Sequence, residues 1–274
     1  MLSVNTNAGA MVALQNLNST VGQLGTVQTA ISTGLKVSSP LNNGATYAIA
    51  QNMRGDVAAY QSVTDSLNRG ISTVDVAVSA GQSISDLLIQ MKQKALAASD
   101  KSLDTASRTA LNNDFTALRD QITSIVKNAV FNGFNLVDGS TNQITALASA
   151  DGTRHVTTAA ENMSLGGSIV TVASAGNIST QAAASTMIAT VTTSLTNVNA
   201  ALAKLGSGAA KFSIQAGFVG KLSDTLTAGI GNLVDANMAQ ESALLQSLQV
   251  KQQLGAQALS IANQSPQITL SLFR

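Results

Sequence analysis

The 274-residue sequence contains no cysteine, which excludes disulfides, thiolate metal ligands and thiol chemistry. Packing alone must hold the chain together. Charge is also scarce: 11% of residues are charged, and a net charge of +1 leaves no basic surface for nucleic acid. Aromatic residues make up 3% of the chain against 45% hydrophobic residues overall, so apolar area must come from Ala, Val, Leu and Ile. Such residues suit helical seams better than a thick globular core. Mean hydropathy is +0.20, yet Ser, Thr, Asn and Gln interrupt every run before it reaches the ~18 apolar residues of a membrane span, so no membrane insertion is expected. Residues 1–20 carry neither a basic segment nor an apolar stretch ending at a small-residue cleavage site. A protein that leaves the cell with such a start needs a route without a cleaved signal peptide.

Catalytic constellations are missing as well. The one histidine, His155, has no second histidine or cysteine to share a metal or support a nucleophile, and reads as a solvated residue beside a turn. Ser124-Ile125-Val126-Lys127 matches the S-x-x-K string of acyl-transferring serine enzymes, but K-T-G is absent and the segment is an amphipathic helix. Gly217-Phe218-Val219-Gly220-Lys221 lacks the glycine interval and the following Ser or Thr of a phosphate loop. Asp100 and Asp104 form a carboxylate pair explained by a polar loop with Asp104 as a helix N-cap. Glu161 and Glu241 lie far apart. No enzyme and no cofactor is expected.

Apolar residues recur instead at alternating steps of three and four, which keeps side chains on one helix face. Five segments show this. The first carries Leu14, Leu17, Val21, Leu24, Ile31 and Leu35, interrupted by Gln28, and stops at Gly34 with Pro40 beyond. The second runs from Met53 through Val57, Tyr60, Leu67, Ile71, Val74 and Val78 to Leu88, the third from Leu111 through Phe115, Leu118 and Ile122 to Ile125. The fourth starts near Ser179 and keeps register from Ile188 to Val219, so Gly206 and Gly208 are expected not to break it. The fifth, about Leu233 to Asn263, has two adjacent seams: Val234, Met238, Leu245, Leu248 and Leu259 on one, Leu244, Leu254, Ala258 and Ile261 on the other. A helix so built can touch partners on two sides.

The fold class predicted is mainly α: a long helical rod or coiled-coil bundle with a small β-hairpin region, its N- and C-terminal helices paired in a separate terminal domain. A helix of about fifty residues extends roughly 75 Å, beyond the diameter of a small domain. Expected boundaries are 1–40 and 233–274 for the terminal domain, 41–140 and 177–232 for the core, and 141–176 for a short insert. In that insert Gln143 to Ala148 and Arg154 to Thr158 flank Ala150-Asp151-Gly152 as a hairpin, and Ser168 to Val172 reads as a further strand. Its density of Ser and Thr predicts an exposed, tolerant segment. Gly217, Gly220, Gly229 and Gly231 read as a pliable joint before the fifth segment.

Several strings at both ends resemble those of the bacterial flagellin family, and the resemblance covers nearly the whole chain. Ser3-Val4-Asn5-Thr6-Asn7 and Ile31-Ser32-Thr33-Gly34-Leu35-Lys36-Val37 are similar to the family's N-T-N and L-S-T-G-L-x-V strings. Ala48-Ile49-Ala50 and Phe131-Asn132-Gly133-Phe134-Asn135-Leu136-Val137-Asp138-Gly139 follow in order. At the end, Ala262-Asn263-Gln264-Ser265-Pro266-Gln267 resembles the A-N-Q-x-P-Q signature. Two strings depart from the pattern: Leu41-Asn42-Asn43-Gly44 replaces D-D-A-A-G, and Met91-Lys92-Gln93-Lys94 replaces R-x-R-E.

The resemblance implies a structural subunit polymerising into the extracellular flagellar filament for swimming. Its implied partners are other flagellin subunits, the flagellar type III export apparatus, an export chaperone, the filament cap and hook-junction proteins. An isolated helix is marginal in water unless its apolar face is covered, so the terminal segments are expected to order on assembly. The expected subunit interface comprises Leu14, Leu17, Val21, Leu24, Ile31, Leu244, Leu245, Leu248, Leu254, Leu259, Ile261 and Ile268. Leu248→Asp is expected to abolish filament growth. A hook-filament junction protein and a chemoreceptor-like signalling coiled coil are the alternatives.

Overall fold

The structure, a computed structural model, describes residues 6–271, and the side chains of residues 6–264. Its helices and strands follow as α1 (Ala8–Thr33), α2 (Gly44–Ala98), α3 (Thr105–Asn128), β1 (Val130–Phe131), β2 (Phe134–Asn135), β3 (Gln143–Leu147), β4 (His155–Ala159), α4 (Gln181–Val234) and α5 (Met238–Ser271). They form two compact units, residues 1–55 with 225–274 and residues 56–224. The terminal unit therefore takes in the first turns of α2 and the last of α4, beyond the limits of 40 and 233 expected from sequence.

Polar side chains start the helices. The Asn7 side chain accepts from Ala10 N at the head of α1, Asn43 from Thr46 N at 3.0 Å at the head of α2, and Asp104 from Ser107 N at 2.6 Å at the head of α3. Asp104 is thus the cap its position predicted. Its carboxyl sits below the ordinary aspartate range because the Ser107 backbone and hydroxyl donate to it. Asp100 is lowered in the same way by Ser102. At its far end α1 stops on Gly34, whose φ of 72° is the left-handed conformation that closes a helix.

The helix α4 runs unbroken through Gly206 and Gly208, and also through Gly217, Gly220, Gly229 and Gly231. The chain leaves the helix only at residues 235–237, so the glycines expected to form a joint do not interrupt the helix. Each glycine costs about 1 kcal/mol of helix propensity, which burial of Val219, Ile230 and Val234 on the same helix offsets.

In the unit of residues 56–224, one continuous core gathers Leu67, Val74, Ile84, Leu88 and Met91 of α2, Phe115, Ile122 and Val126 of α3, and Val191, Val198, Leu205, Phe212 and Val219 of α4. Two antiparallel hairpins complete it. β1 and β2 pair Val130 with Asn135 around Asn132 and Gly133, whose φ values of 50° and 83° are those of a tight two-residue turn. β3 and β4 pair Gln143 with Ala159 through Leu147 with His155, and bury alternate residues Ile144 and Ala146.

The stretch 141–176 is not the exposed insert its composition predicts, since Ile144, Ala146, Met163, Val170 and Val172 all enter the core. Ser168 to Val172 is not a strand either. Its backbone groups go to side chains of α4: Ser194 Oγ accepts from Thr171 N at 2.9 Å, and Asn197 Nδ2 donates to Ser168 O at 3.1 Å. With those groups engaged by a helix, no strand partner is needed.

Candidate assembly interface

Seven-residue spacing on both terminal helices brings them together. On α1 the covered face is Ala10, Ala13, Leu17, Thr20, Leu24, Val27 and Ile31, and on α5 it is Glu241, Leu245, Leu248, Gln252, Gly255, Leu259 and Ala262. Both sets alternate steps of three and four, the spacing of a coiled-coil seam. The helices pack together antiparallel, for Asn7 at the head of α1 meets Ala262 near the end of α5, while Gly34 O accepts from Ala236 N at 2.9 Å. Lys36 N donates to Val234 O at 2.8 Å and Leu35 bridges Asp235, closing that end. Close approach is built in at Gly255, where a Cβ would lie 3.3 Å from Leu17 Cδ1.

Ion pairs have no part in this pairing. α1 has no charged residue, and α5 has only Glu241 and Lys251. Its stabilisation is burial, with Leu248 at 1% exposure the most enclosed leucine of the pair among the described residues.

The residues predicted as interface fall into two groups. Leu17, Leu24, Ile31, Leu245, Leu248 and Leu259 cover one another within the chain. Leu14 and Val21 are each 46% exposed, Leu244 42%, Leu254 58% and Ile261 69%. The side chain of Ile268 lies outside the described residues. On α5 this division follows the two adjacent seams read from sequence. On α1 the single seam splits, because Leu14, Val21 and Gln28 repeat every seven residues beside the Leu17, Leu24, Ile31 line rather than on it. Leu248 therefore belongs to pairing within the chain, and Leu248→Asp would strike that pairing first.

Sequence reasoning missed Met11, Val12 and Val250, which are exposed by 64%, 57% and 54%. Met11, Val12 and Leu14 line a shallow hollow on α1 with Ala8, Gln15 and Asn18. A signal was there: three large apolar residues within four positions exceed what one seam can bury. The terminal unit thus shows two helices covered along the line they share, each with exposed apolar residues off that line.

The strings rejected as chemistry have structural places. His155 opens β4 and is exposed, Ser124 Oγ donates to Asp120 O along α3, and Gly217 to Lys221 lies inside α4. Among the described residues no helix is long and apolar enough to cross a membrane.

Sequence profiles of the bacterial flagellin N-terminal helical region and C-terminal helical region match residues 4–142 and 188–273. Flagellin FljK of Caulobacter vibrioides is 55% identical over 272 residues, which is 99% of this chain and 98% of that one. The chain belongs to the bacterial flagellin family. A flagellin of Brucella melitensis is 36% identical over 283 residues, spanning both chains entirely. Among solved structures, the crystal structure of Bacillus cereus flagellin matches with a TM-score of 0.50 at 21% identity, covering 56% of this chain and 88% of that one. A putative flagellar hook-associated protein from Vibrio parahaemolyticus matches with a TM-score of 0.59 at 14% identity, over 71% of this chain and all of the other. At such identities the two structures speak for the fold only.

As a flagellin, the chain is a structural subunit of the flagellar filament and polymerises with other flagellin subunits. Neither the hook-junction nor the chemoreceptor alternative is favoured. Flagellins are structural rather than enzymatic subunits.

Proposed function

We propose that the filament contacts are made by the uncovered apolar positions of the two terminal helices: Met11, Leu14 and Val21 on α1, and Leu244, Leu254 and Ile261 on α5. The observation that carries this reading is α5 itself, whose first seam covers α1 while its second, two positions of which are 58% and 69% exposed, has nothing over it. α5 then bridges its own α1 and a neighbouring subunit. Contacts of this kind are heterologous, so they do not close into a dimer and continue as a helical polymer.

Fully burying a leucine contributes about 1.5–3 kcal/mol, so covering the open part of one such as Leu254 contributes about 1–2 kcal/mol per subunit. Six such side chains on each subunit, repeated along the polymer, make the sum sufficient for assembly. The chain reaches the cell exterior unfolded through the flagellar type III apparatus with an export chaperone; a filament cap and hook-junction proteins receive it. The absence of cysteine fits passage as an unfolded thread, since no disulfide has to form afterwards.

Leu254→Asp and Leu14→Asp test these contacts. Purified chains carrying either change should fail to pellet as filaments while their far-ultraviolet circular dichroism matches the parent, because the pairing face is untouched. Normal filaments from both would rule them out. Leu248→Asp serves as the contrast, losing helicity as well as assembly.

A further inference from the structure

Helix α5 extends from Met238 to Ser271 and so passes through Pro266. Proline has no backbone N–H, and the helical hydrogen bond that position 266 would donate to the carbonyl four residues earlier does not exist. That carbonyl belongs to Ala262. It is also the carbonyl that accepts a hydrogen bond from Asn7 Nδ2, at 2.7 Å, across a separation of 255 residues. The other half of the same amide, Asn7 Oδ1, accepts from Ala10 N at 3.0 Å and caps α1. Neither half can be exchanged, since a backbone N–H only donates and a carbonyl only accepts.

We propose that Asn7 and Pro266 form a register lock between the two chain ends: Pro266 frees the Ala262 carbonyl, and Asn7 is the donor placed to engage it. Such a lock answers a need created by the seams. On α1 Leu17, Leu24 and Ile31 repeat every seven residues, so slipping α1 by one repeat, roughly 10 Å, would again turn an apolar line toward α5. Leucine packing alone discriminates poorly between these registers. A single polar contact available in one register breaks the degeneracy, which is the part that isolated polar residues take in coiled coils. A slipped pair leaves the Ala262 carbonyl without either a helical donor or Asn7. Asn7 is in this sense a positioning residue for assembly, acting through the placement of α5.

The test is a mutant cycle on the purified full-length chain, read as the critical concentration for polymerisation by sedimentation. Asn7→Asp keeps the capping oxygen but cannot donate, and Asn7→Ser caps but is too short to reach across. Each should raise the critical concentration about tenfold, equivalent to about 1.4 kcal/mol. Pro266→Ala returns a helical N–H to Ala262; in that background each Asn7 change should raise the critical concentration less than about twofold. Equal effects of the Asn7 changes in the two backgrounds, or no effect in the parent, would overturn the lock. Failure of Pro266→Ala alone to polymerise would overturn it too. The lock lies within one chain, so normal filaments from the Leu254 variant would remove the contacts proposed above and leave this cycle interpretable.

Discussion

Gly206 and Gly208 stand two residues apart on α4, and alanine at the two positions should act in opposite directions. A Cβ added at Gly206 meets nothing within 4 Å. There the substitution recovers only helix propensity, about 1 kcal/mol, and for a unit of 150–250 residues each kcal/mol raises Tm by about 2–4 °C. At Gly208 the added atom would overlap the methyl of Thr158 on β4 and stand 3.1 Å from its Cβ. Rotating Thr158 moves its methyl and hydroxyl but leaves its Cβ at 3.1 Å, so the hairpin must also give by a few tenths of an ångström. Overpacking of this sort costs about 1–3 kcal/mol; with Thr158 enclosed, its upper range applies, and a net loss of about 1–2 kcal/mol remains after the propensity gain. Thermal unfolding of the monomer followed by circular dichroism measures both. Gly208→Ala should lower Tm by about 2–8 °C, and Thr158→Ala placed in the same chain should recover part of it. The Thr158 hydroxyl is buried without a hydrogen-bond partner among the described residues, so Thr158→Val alone should stabilise by about 1 kcal/mol. A rise in Tm for Gly208→Ala equal to that for Gly206→Ala would refute the close approach.

Phe212 is fully buried, its ring about 3.4 Å from where a Gly70 Cβ would stand; Phe212→Ala should cost about 3–5 kcal/mol, seen as a Tm fall several times that of any surface substitution in the same melt. Asp151 carries the hairpin's pH response. Hydrogen bonds from the Ser149 hydroxyl, then from Thr153 through hydroxyl and backbone, lower its pKa to about 2. The folded value lies below the unfolded one, so the contribution is complete above the unfolded pKa, near ~4, and is lost as pH falls toward 2. Amide shifts of residues 149–154 should move over that window in the parent and stay fixed in Asp151→Asn.

Much of the helical fold was legible because its determinants are local. Leu111 to Ile125 and Ile188 to Val219 repeat at helical spacing, and the helices follow them through three internal glycines. Gly34 and Asp104 mark ends by conformations and capping bonds that few other residues supply. Long-range facts were not legible. Val170 and Val172 read as a strand because β-branched residues fit either a sheet or any buried extended segment, and only Ser194 and Asn197 on a distant helix decide between them. Asn132-Gly133 is the reverse case: the dipeptide carries a turn signal, yet flanking strands two residues long give no alternation to see. Gly208 looked like Gly206 because nothing local announces Thr158.

The interface was half legible for a related reason. Spacing on α5 separated two seams correctly, since Leu244 with Leu245 and Leu254 with Gly255 are sequence neighbours that cannot share a face. On α1 spacing merged what the fold separates, because steps of three and four connect Leu14 to Leu17 and Val21 to Leu24 while each pair straddles two lines. Only the covering helix tells them apart. Once α5 occupies the Leu17 line, Leu14 and Val21 are left open beside it, and the absence of charge over all of α1 means that water finds few ionic partners on that face. A surface of this composition is costly in a free monomer and useful in a polymer, where the next subunit replaces the water. The terminal helices therefore differ in role: α1 offers one covered line and a short apolar flank near its start, whereas α5 carries a covered line and an exposed one from Leu244 to Ile261, and can face both its own chain and the next.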